Sequence, residues 1–437
     1  MMLASLLLLL AAGTAAARPA AGARTLVLLD AAADAQRFAA FLHDLEGRGH
    51  VLDMRSAGDL AKGAFGLVSF DELVYDHAVI LAPKAPSFGG ALKIGNLVDF
   101  VNAGGNVLLT ASSEVSEAVR DFAYEFTADF DEPGTAVIDR FNSVGTDPTR
   151  VLSSAFSPSA SNVVSDAIRS GPPVLFKGVA HKLSGKNPLS FSVLSASSAA
   201  FAYDPTDKQR LIKDPLAGHA ISLISAFQAR NNARVVFAGS ADMFSDEFFD
   251  ATITVGDKTV ASGNRRLASE VSQWAFQEKS VLRIEATKHH RVGESGQHGI
   301  YRIKDEMEYE ADIQVWDGEA WVPFVASDVQ FEAVMLDPYV RATMNASGGH
   351  YSARFTLPDQ HGVFTFKLDY KRHGLSYIHA SETVQVRPFR HDQYPRFLTV
   401  AFPYYANIFS MMAGFFVFSL LFVFNRDTNT KVKAKTQ

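Results

Sequence analysis

The spacing of apolar residues changes character along the chain. Over residues 25–140, short apolar runs alternate with stretches of helical period. The run TLVLLD at 25–30 predicts a buried parallel strand. Phe38, Phe41, Leu42 and Leu45 then share one stripe of a helix that Asp34 caps and Gly47-Arg48-Gly49 ends. Further strands are expected from residue 50, at 76–82 and at 106–110, with helices at 92–101 and 114–124 between and after them. In the first of these helices Ile94, Leu97, Val98 and Val101 point inward, and Gly104-Gly105 follows its end. Such alternation predicts a flavodoxin-like, doubly wound α/β region.

Residues 146–277 are less regular. Strands are expected at 175–176, within 190–202 and at 234–239, and a helix at 264–277 turns Leu267, Val271, Trp274 and Ala275 inward. This stretch either completes the first α/β unit or forms a second one beside it. From residue 281 the period becomes two. Segments at 281–286, 308–316, 329–335, 351–357, 363–370 and 383–386 alternate, with turn signals at Asp317-Gly318, Gly348-Gly349 and His361-Gly362. Six or seven short strands without long helices predict a β-sandwich.

The pattern ends in residues 397–425, which contain no charged side chain. A helix of about 20 apolar residues crosses the hydrocarbon of a bilayer, so this is a single membrane span. Pro403, Tyr404 and Tyr405 form its aromatic edge, and Asn407 belongs near the headgroups or against a partner helix. Residues 3–12 and the small residues after them read as a secretory signal peptide cleaved between 17 and 23, although no basic residue precedes the apolar run. Arg387, Arg390 and Arg396 flank one side of the span, and Arg426, Lys431, Lys433 and Lys435 the other, so charge bias alone is ambiguous. The signal peptide decides for a type I orientation. The expected layout is a signal peptide 1–23, a lumenal α/β domain 24–145 and a second α/β region or lobe 146–280. A membrane-proximal β-sandwich 281–388, a connector 389–397, a transmembrane helix 398–425 and a cytosolic tail 426–437 follow.

Composition narrows the function. With 41 basic against 47 acidic residues and a net charge of −6, no nucleic-acid-binding surface is expected. The chain has no cysteine, which removes thiol nucleophiles and thiolate-bound metals and leaves stability to the cores. Candidate chemistry is sparse. Gly104-Gly105 precedes a strand instead of following one, the wrong order for a dinucleotide fingerprint, and reads as a helix stop. Gly239-Ser240-Ala241-Asp242 follows a buried strand, where α/β folds place ligands; Asp242, Asp246 and Glu247 form an acidic rim there, or Ser240 or Asp242 caps a helix. Asp30, Asp53 and Asp76 stand near strand ends. His289-His290 reads as a solvated polar loop, a poor metal pair. No catalytic residue, cofactor site or metal site is assigned. Asn345-Ala346-Ser347 is the one N-glycosylation acceptor triplet, expected in an exposed hairpin loop.

Several separated phrases carry a family resemblance. They are SFDELVYD at 69–76, GGNVL at 104–108, GSADMFSD at 239–246, YRIKD at 301–305, WVPF at 321–324, DVQF at 328–331, DPYVR at 337–341 and GVFTFKLDY at 362–370. VRP at 386–388, HDQY at 391–394, FPYYA at 402–406 and FSMM at 409–412 continue the series. The chain resembles, over essentially its full length, the 48 kDa subunit family of the endoplasmic reticulum oligosaccharyltransferase, the Wbp1 family of fungi. The resemblance implies a non-catalytic accessory subunit of the complex that transfers a preassembled oligosaccharide from dolichyl diphosphate to Asn of Asn-X-Ser/Thr sequons. It places catalysis in a separate multi-spanning STT3-type subunit, with ribophorin II/Swp1-type and DAD1/Ost2-type neighbours. It also implies a glutamine-amidotransferase-like α/β fold without that activity. Lys433 and Lys435, fifth and third from the end, resemble an endoplasmic reticulum retrieval signal. Packing of the span against other subunits would use Tyr404, Tyr405, Asn407 and the small-xxx-small pair Ser410 and Gly414. Two alternatives stand beside this: a membrane-anchored lumenal enzyme binding a sugar or nucleotide near Asp30, Asp76 and Asp242, and a single-pass receptor or adhesion protein.

Overall fold

A computed structural model describes residues 22–60, 66–69, 72–86, 93–145, 147–185, 187–205, 216–255 and 258–425. The signal-peptide core at 3–12, and Lys433 and Lys435 in the basic tail, lie outside the described residues.

The first strand, β1 (Arg24–Leu29), has five of its six residues buried because sheet neighbours flank it and helices cover both its faces. A run without polar alternation is what such a position demands. Helix α1 (Ala39–Gly47) follows a 3-10 turn in which the Asp34 carboxylate accepts the Ala31 N–H at 3.0 Å. The expected stripe of Phe38, Phe41, Leu42 and Leu45 is buried. β2 (Val51–Ser56), β3 (His77–Leu81) and β4 (Asn106–Thr110) come next, with α2 (Ile94–Asn102) before β4 and α3 (Glu117–Glu125) after it. The α3 helix starts three residues later than its apolar pattern suggests, because Ser116 accepts the Val119 N–H at 3.4 Å and caps it there.

The middle of the chain contributes β5 (Ser190–Ser195), β6 (Ser222–Gln228), β7 (Arg234–Ala238) and α4 (Asn264–Ala275). The sheet runs β5-β6-β7-β4-β3-β1-β2, with a short strand Ala155–Phe156 outside β5. Pairing is parallel from β2 through to β7 and antiparallel from β7 to β5. The middle stretch therefore extends the sheet begun at β1, and its two faces carry two apolar cores.

The longer strands of the next unit are β8 (Val281–Arg291), β9 (Glu306–Trp316), β10 (Gln330–Val334), β11 (Pro338–Thr343), β12 (His350–Thr356), β13 (Gly362–Tyr370) and β14 (Ile378–Arg387). With the short strands Ile300–Arg302, Trp321–Pro323 and Asn345–Ser347 they form two five-stranded sheets. One is built on β8-β9-β12 and the other on β14-β13-β10-β11. Tyr309, Phe331, Phe355 and Phe366 pack in the core that both sheets contribute to. His289 and His290 do not lie in a loop. They sit in β8, where successive side chains face opposite ways. His289 is only 4% exposed and bonds the Tyr301 hydroxyl at 2.8 Å, whereas His290 lies 3.7 Å from Glu310.

The loop between β13 and β14 locks the two units together. Trp274 Nε1 donates to the Gly374 carbonyl at 2.7 Å, and buried Gln228 donates to the Leu375 carbonyl at 2.7 Å. Asn232 bonds the Tyr377 main chain twice, accepting its N–H at 2.6 Å and donating to its carbonyl at 3.0 Å. Gly374 has φ +80°, the left-handed region where a side chain is strained. After the connector, α5 (Phe402–Phe424) leaves the body. Within Thr399–Phe424 an 18-residue window has a mean hydropathy of 2.1 and none of that window is buried, making this the one helix among the described residues long and apolar enough to cross a membrane.

One buried group sets a pH dependence. His181 is fully buried, its Nε2 bonds Ser225 Oγ at 2.8 Å, and its Nδ1 has no partner. Burial pushes its pKa down from 6.5 to about 3. The unfolded chain therefore binds a proton below pH 6.5 that the folded chain refuses, and stability falls as pH drops from 6.5 towards 3. By pH 5 this one group is expected to remove about 2 kcal/mol. Thermal melts of the full chain at pH 7 and pH 5 should show the loss, and it should shrink in His181→Gln. An equal loss in that variant would refute the assignment.

Candidate functional site

Four parallel strands end on the same side of the sheet, and their trailing loops build one crevice. β1 delivers Asp30, β3 delivers Pro83 and Lys84, β4 delivers Ser112 to Glu114, and β7 delivers Ala241 and Asp242. Asp34 and Arg37, from the turn ahead of α1, complete a hollow of about 200 Å3. It lies where chain order reverses between β1 and β3, the position at which open α/β sheets place ligands.

Most of its charges are paired with one another. The Arg37 guanidinium donates to Asp242, and Lys84 Nζ lies 2.5 Å from Glu114. Burial pushes the Asp242 carboxyl up, with Arg37 opposing. Burial likewise raises Asp30, against a long bond from the Lys84 N–H at 3.5 Å, and Asp30 Oδ1 has no partner. Glu114 draws the Lys84 pKa up, and Lys84 holds Glu114 below the usual carboxylate range. Among the described residues no group of three His, Asp or Glu side chains is placed to hold a metal ion.

The backbone around Asp242 is fixed by a close approach. Val179 N–H donates to the Gly239 carbonyl at 2.9 Å, and a Cβ on Gly178 would fall 2.0 Å from that same oxygen. Glycine is required where two main chains approach this closely. Ser240 Oγ donates to the Lys177 carbonyl at 2.6 Å and accepts the Met243 N–H at 3.3 Å, so it ties the short turn Asp242–Phe244 to the preceding chain, with Ala241 and not Ser240 or Asp242 at the cap position.

The candidate residues separate on this geometry. Asp30 and Asp242 meet in the crevice. Asp76 precedes β3 and accepts the Arg24 N–H at 3.0 Å, at the opposite end of the sheet, so the expected convergence of Asp30, Asp76 and Asp242 does not occur. Asp53 is bound by Arg55 at 2.9 Å and by the Tyr75 hydroxyl at 2.5 Å. The acidic rim also disperses. Asp246 accepts the Ala40 N–H at 3.0 Å, and Glu247 pairs with Arg150 at 2.6 Å. Arg37, Lys84 and Glu114 carry no local motif and were not anticipated; strand order alone brings them to the crevice.

Asn345 is exposed, in the short strand Asn345–Ser347 that leads into the Gly348-Gly349 turn. In α5, Ser410 Oγ donates to the Asn407 carbonyl at 2.8 Å, so its hydroxyl is satisfied within its own helix. A Cβ on Gly414 would meet nothing within 4 Å.

Comparison with known proteins places the chain. The OST48 N-terminal domain matches residues 16–278, and the OST48 middle domain matches residues 289–426. The dolichyl-diphosphooligosaccharide–protein glycosyltransferase 48 kDa subunit of Danio rerio is 40% identical over 412 residues, 92% of each chain. Its Arabidopsis thaliana counterpart is 39% identical over 92% of this chain and 93% of that one. The Caenorhabditis elegans counterpart is 39% identical over 93% of each. With both domains matched in order and the relatives aligned almost end to end, the chain belongs to the OST48 family.

Proposed function

We propose that the chain is a non-catalytic accessory subunit of oligosaccharyltransferase, supporting assembly and stability of the complex that glycosylates Asn-X-Ser/Thr sequons. The observation that carries this is the near end-to-end match to 48 kDa subunits of that enzyme. The pairing of Arg37 with Asp242 and of Lys84 with Glu114 suits a scaffold, and it leaves Asp30 as the crevice carboxylate with a buried oxygen unbonded. Catalysis then belongs to a multi-spanning STT3-type subunit, with ribophorin II/Swp1-type and DAD1/Ost2-type subunits as neighbours. The β2-β1-β3-β4 order supports a flavodoxin-like, glutamine-amidotransferase-like region over 24–145 and 146–280, and the paired five-stranded sheets support a sandwich over 281–388.

In this reading the chain is a type I protein of the endoplasmic reticulum membrane with its body in the lumen. Asn345 carries a glycan, Lys433 and Lys435 act in retrieval, and α5 packs on partner helices through the notch at Ser410 and Gly414. Because Ser410 already bonds its own helix, the contact rests on close approach and not on a hydroxyl bond.

The test is purification of the full-length chain from native membranes in mild detergent. A multi-spanning glycosyltransferase subunit should co-purify, depletion should lower sequon glycosylation, and glycosidase treatment should shift the chain by one glycan that Asn345→Gln lacks. The double variant Ser410→Leu and Gly414→Leu should recover less than about half of the catalytic subunit, since leucines fill the close approach. Recovery of the chain alone with glycosylation unchanged would discard the role. Full recovery with both leucines would discard only the helix contact.

A further inference from the structure

The largest cavity among those described is not the crevice. It is an open cleft of about 880 Å3 between the α/β unit and the strand unit. Its walls come from the loop ahead of β5, the turn joining β6 to β7, β8, and the β13–β14 loop that locks the units together. Ligand sites of this size are common, and interfaces between units are where they occur.

Its charge runs against that of the molecule. The whole chain is net negative, yet the cleft is lined by Arg230, Lys371 and Arg372 against a single carboxylate, Asp369. Arg372 is held by Asp328 at 2.5 Å, and Asp369 is bonded by His379. Arg230 and Lys371 are both exposed, and neither is engaged in an ion pair among the described residues. They come from different units: Arg230 from the β6–β7 turn and Lys371 from the residue after β13. The turn that presents Arg230 is held by Asn232, whose side chain is buried and bonds the Tyr377 main chain, so the backbone that carries Arg230 is tied to the β13–β14 loop that follows Lys371.

The geometry points to a docking site for an acidic peptide segment of a partner protein. Two features favour a peptide over a small anion. The free cations are carried on two separate units instead of one loop, which suits carboxylates spaced along a chain. The same cleft is lined by the partly exposed apolar side chains of Leu189 and Ile284, which a bare phosphate would leave uncovered and a peptide's apolar side chains would cover. Charge complementarity of this kind sets specificity and association rate, and it weakens with salt.

The inference extends the assembly role but is tested on the purified full-length chain by itself, so its failure leaves complex membership untouched. The probe is a fluorescein-labelled hexapeptide alternating Glu and Leu, compared by polarisation with the same peptide carrying Gln or Lys for Glu. The Glu peptide is expected to bind best, and to weaken when salt rises from about 50 to about 300 mM. The double reversal Arg230→Glu and Lys371→Glu should lower its affinity about tenfold and turn preference to the Lys peptide. Both side chains are exposed, so the fold should survive; Arg230→Gln with Lys371→Gln is the milder pair if a melt shows otherwise. Unchanged affinity after reversal would overturn the site. So would binding of inorganic pyrophosphate at the same residues without binding of the peptide, which would make the cleft a small-anion site.

Discussion

Arg234→Ala is expected to destabilise the body of the protein by about 4 kcal/mol, lowering its thermal midpoint by roughly 10 °C. Arg234 is fully buried and has no carboxylate partner among the described residues. Its guanidinium instead donates to the carbonyls of Trp274 at 2.8 Å, Lys279 at 2.9 Å and Ser280 at 2.8 Å, and lies 4.7 Å from the Trp274 ring centre. The first of those carbonyls belongs to the last turn of α4, the negative end of the helix dipole. Burial lowers the guanidinium pKa to about 9, which leaves it charged at neutral pH. Truncation strands one buried and two partly buried acceptors, the buried one worth about 1–3 kcal/mol when left unpaired, and opens a cavity. Arg234→Lys keeps the charge but not the fork of donors, so it should fall between. A melt of Arg234→Ala within about 1 °C of the parent would show that these bonds are not what holds the junction.

Gly178→Ala should be nearly as damaging, at about 3 kcal/mol, from the opposite cause. The added methyl would lie 2.0 Å from the Gly239 carbonyl oxygen and 3.0 Å from Ser240 Cα. Both neighbours are main chain, so no rotamer change relieves the clash, and the loop carrying Asp242 must move. Gly239→Ala meets the same obstacle from the other side, 2.3 Å from the Val179 carbonyl oxygen. Gly47→Ala, with nothing within 4 Å, is the control and should change stability by less than about 1 kcal/mol. If Gly178→Ala melts with Gly47→Ala, the close approach is not a constraint.

Legibility followed burial. β1, β3, β4 and β7 were readable because both faces are covered, and an unbroken apolar run records that directly. β6 is equally buried yet did not stand out. Its sequence, SLISAFQ, hides Ser225 and Gln228 in the interior, where Ser225 bonds His181 and the Gln228 amide donates to the Leu375 carbonyl. Polar residues with buried partners erase the pattern that reveals a strand. β8 was readable only in its first half, because KHHR at its far end looks like a turn until His289 is seen bonding Tyr301 across the core.

The crevice illustrates a different limit. Asp30 follows its strand and Asp76 precedes one, so the direction of the chain already separates them. Nothing local, however, tells that Arg37 will meet Asp242, more than two hundred positions away. Only the strand order makes them neighbours. The free cations of the larger cleft are similar, since Arg230 and Lys371 belong to separately folded patterns that the β13–β14 loop brings together.

That strand order also has a consequence for synthesis. β4 must wait beside an empty place while residues 111–233 emerge, since its neighbour on that side is β7. During that interval a fully buried strand presents an unpaired edge, the kind of surface that invites aggregation or capture by chaperones. The junction closes later still, because Trp274, Gln228 and Asn232 find their partners only when residues 374–377 have been made. The hydrophobic anchor follows within about thirty residues. A chain made from one end therefore supplies its apolar helix shortly after the last residues its body needs, so the biosynthetic clock favours a helix that packs after the body has set.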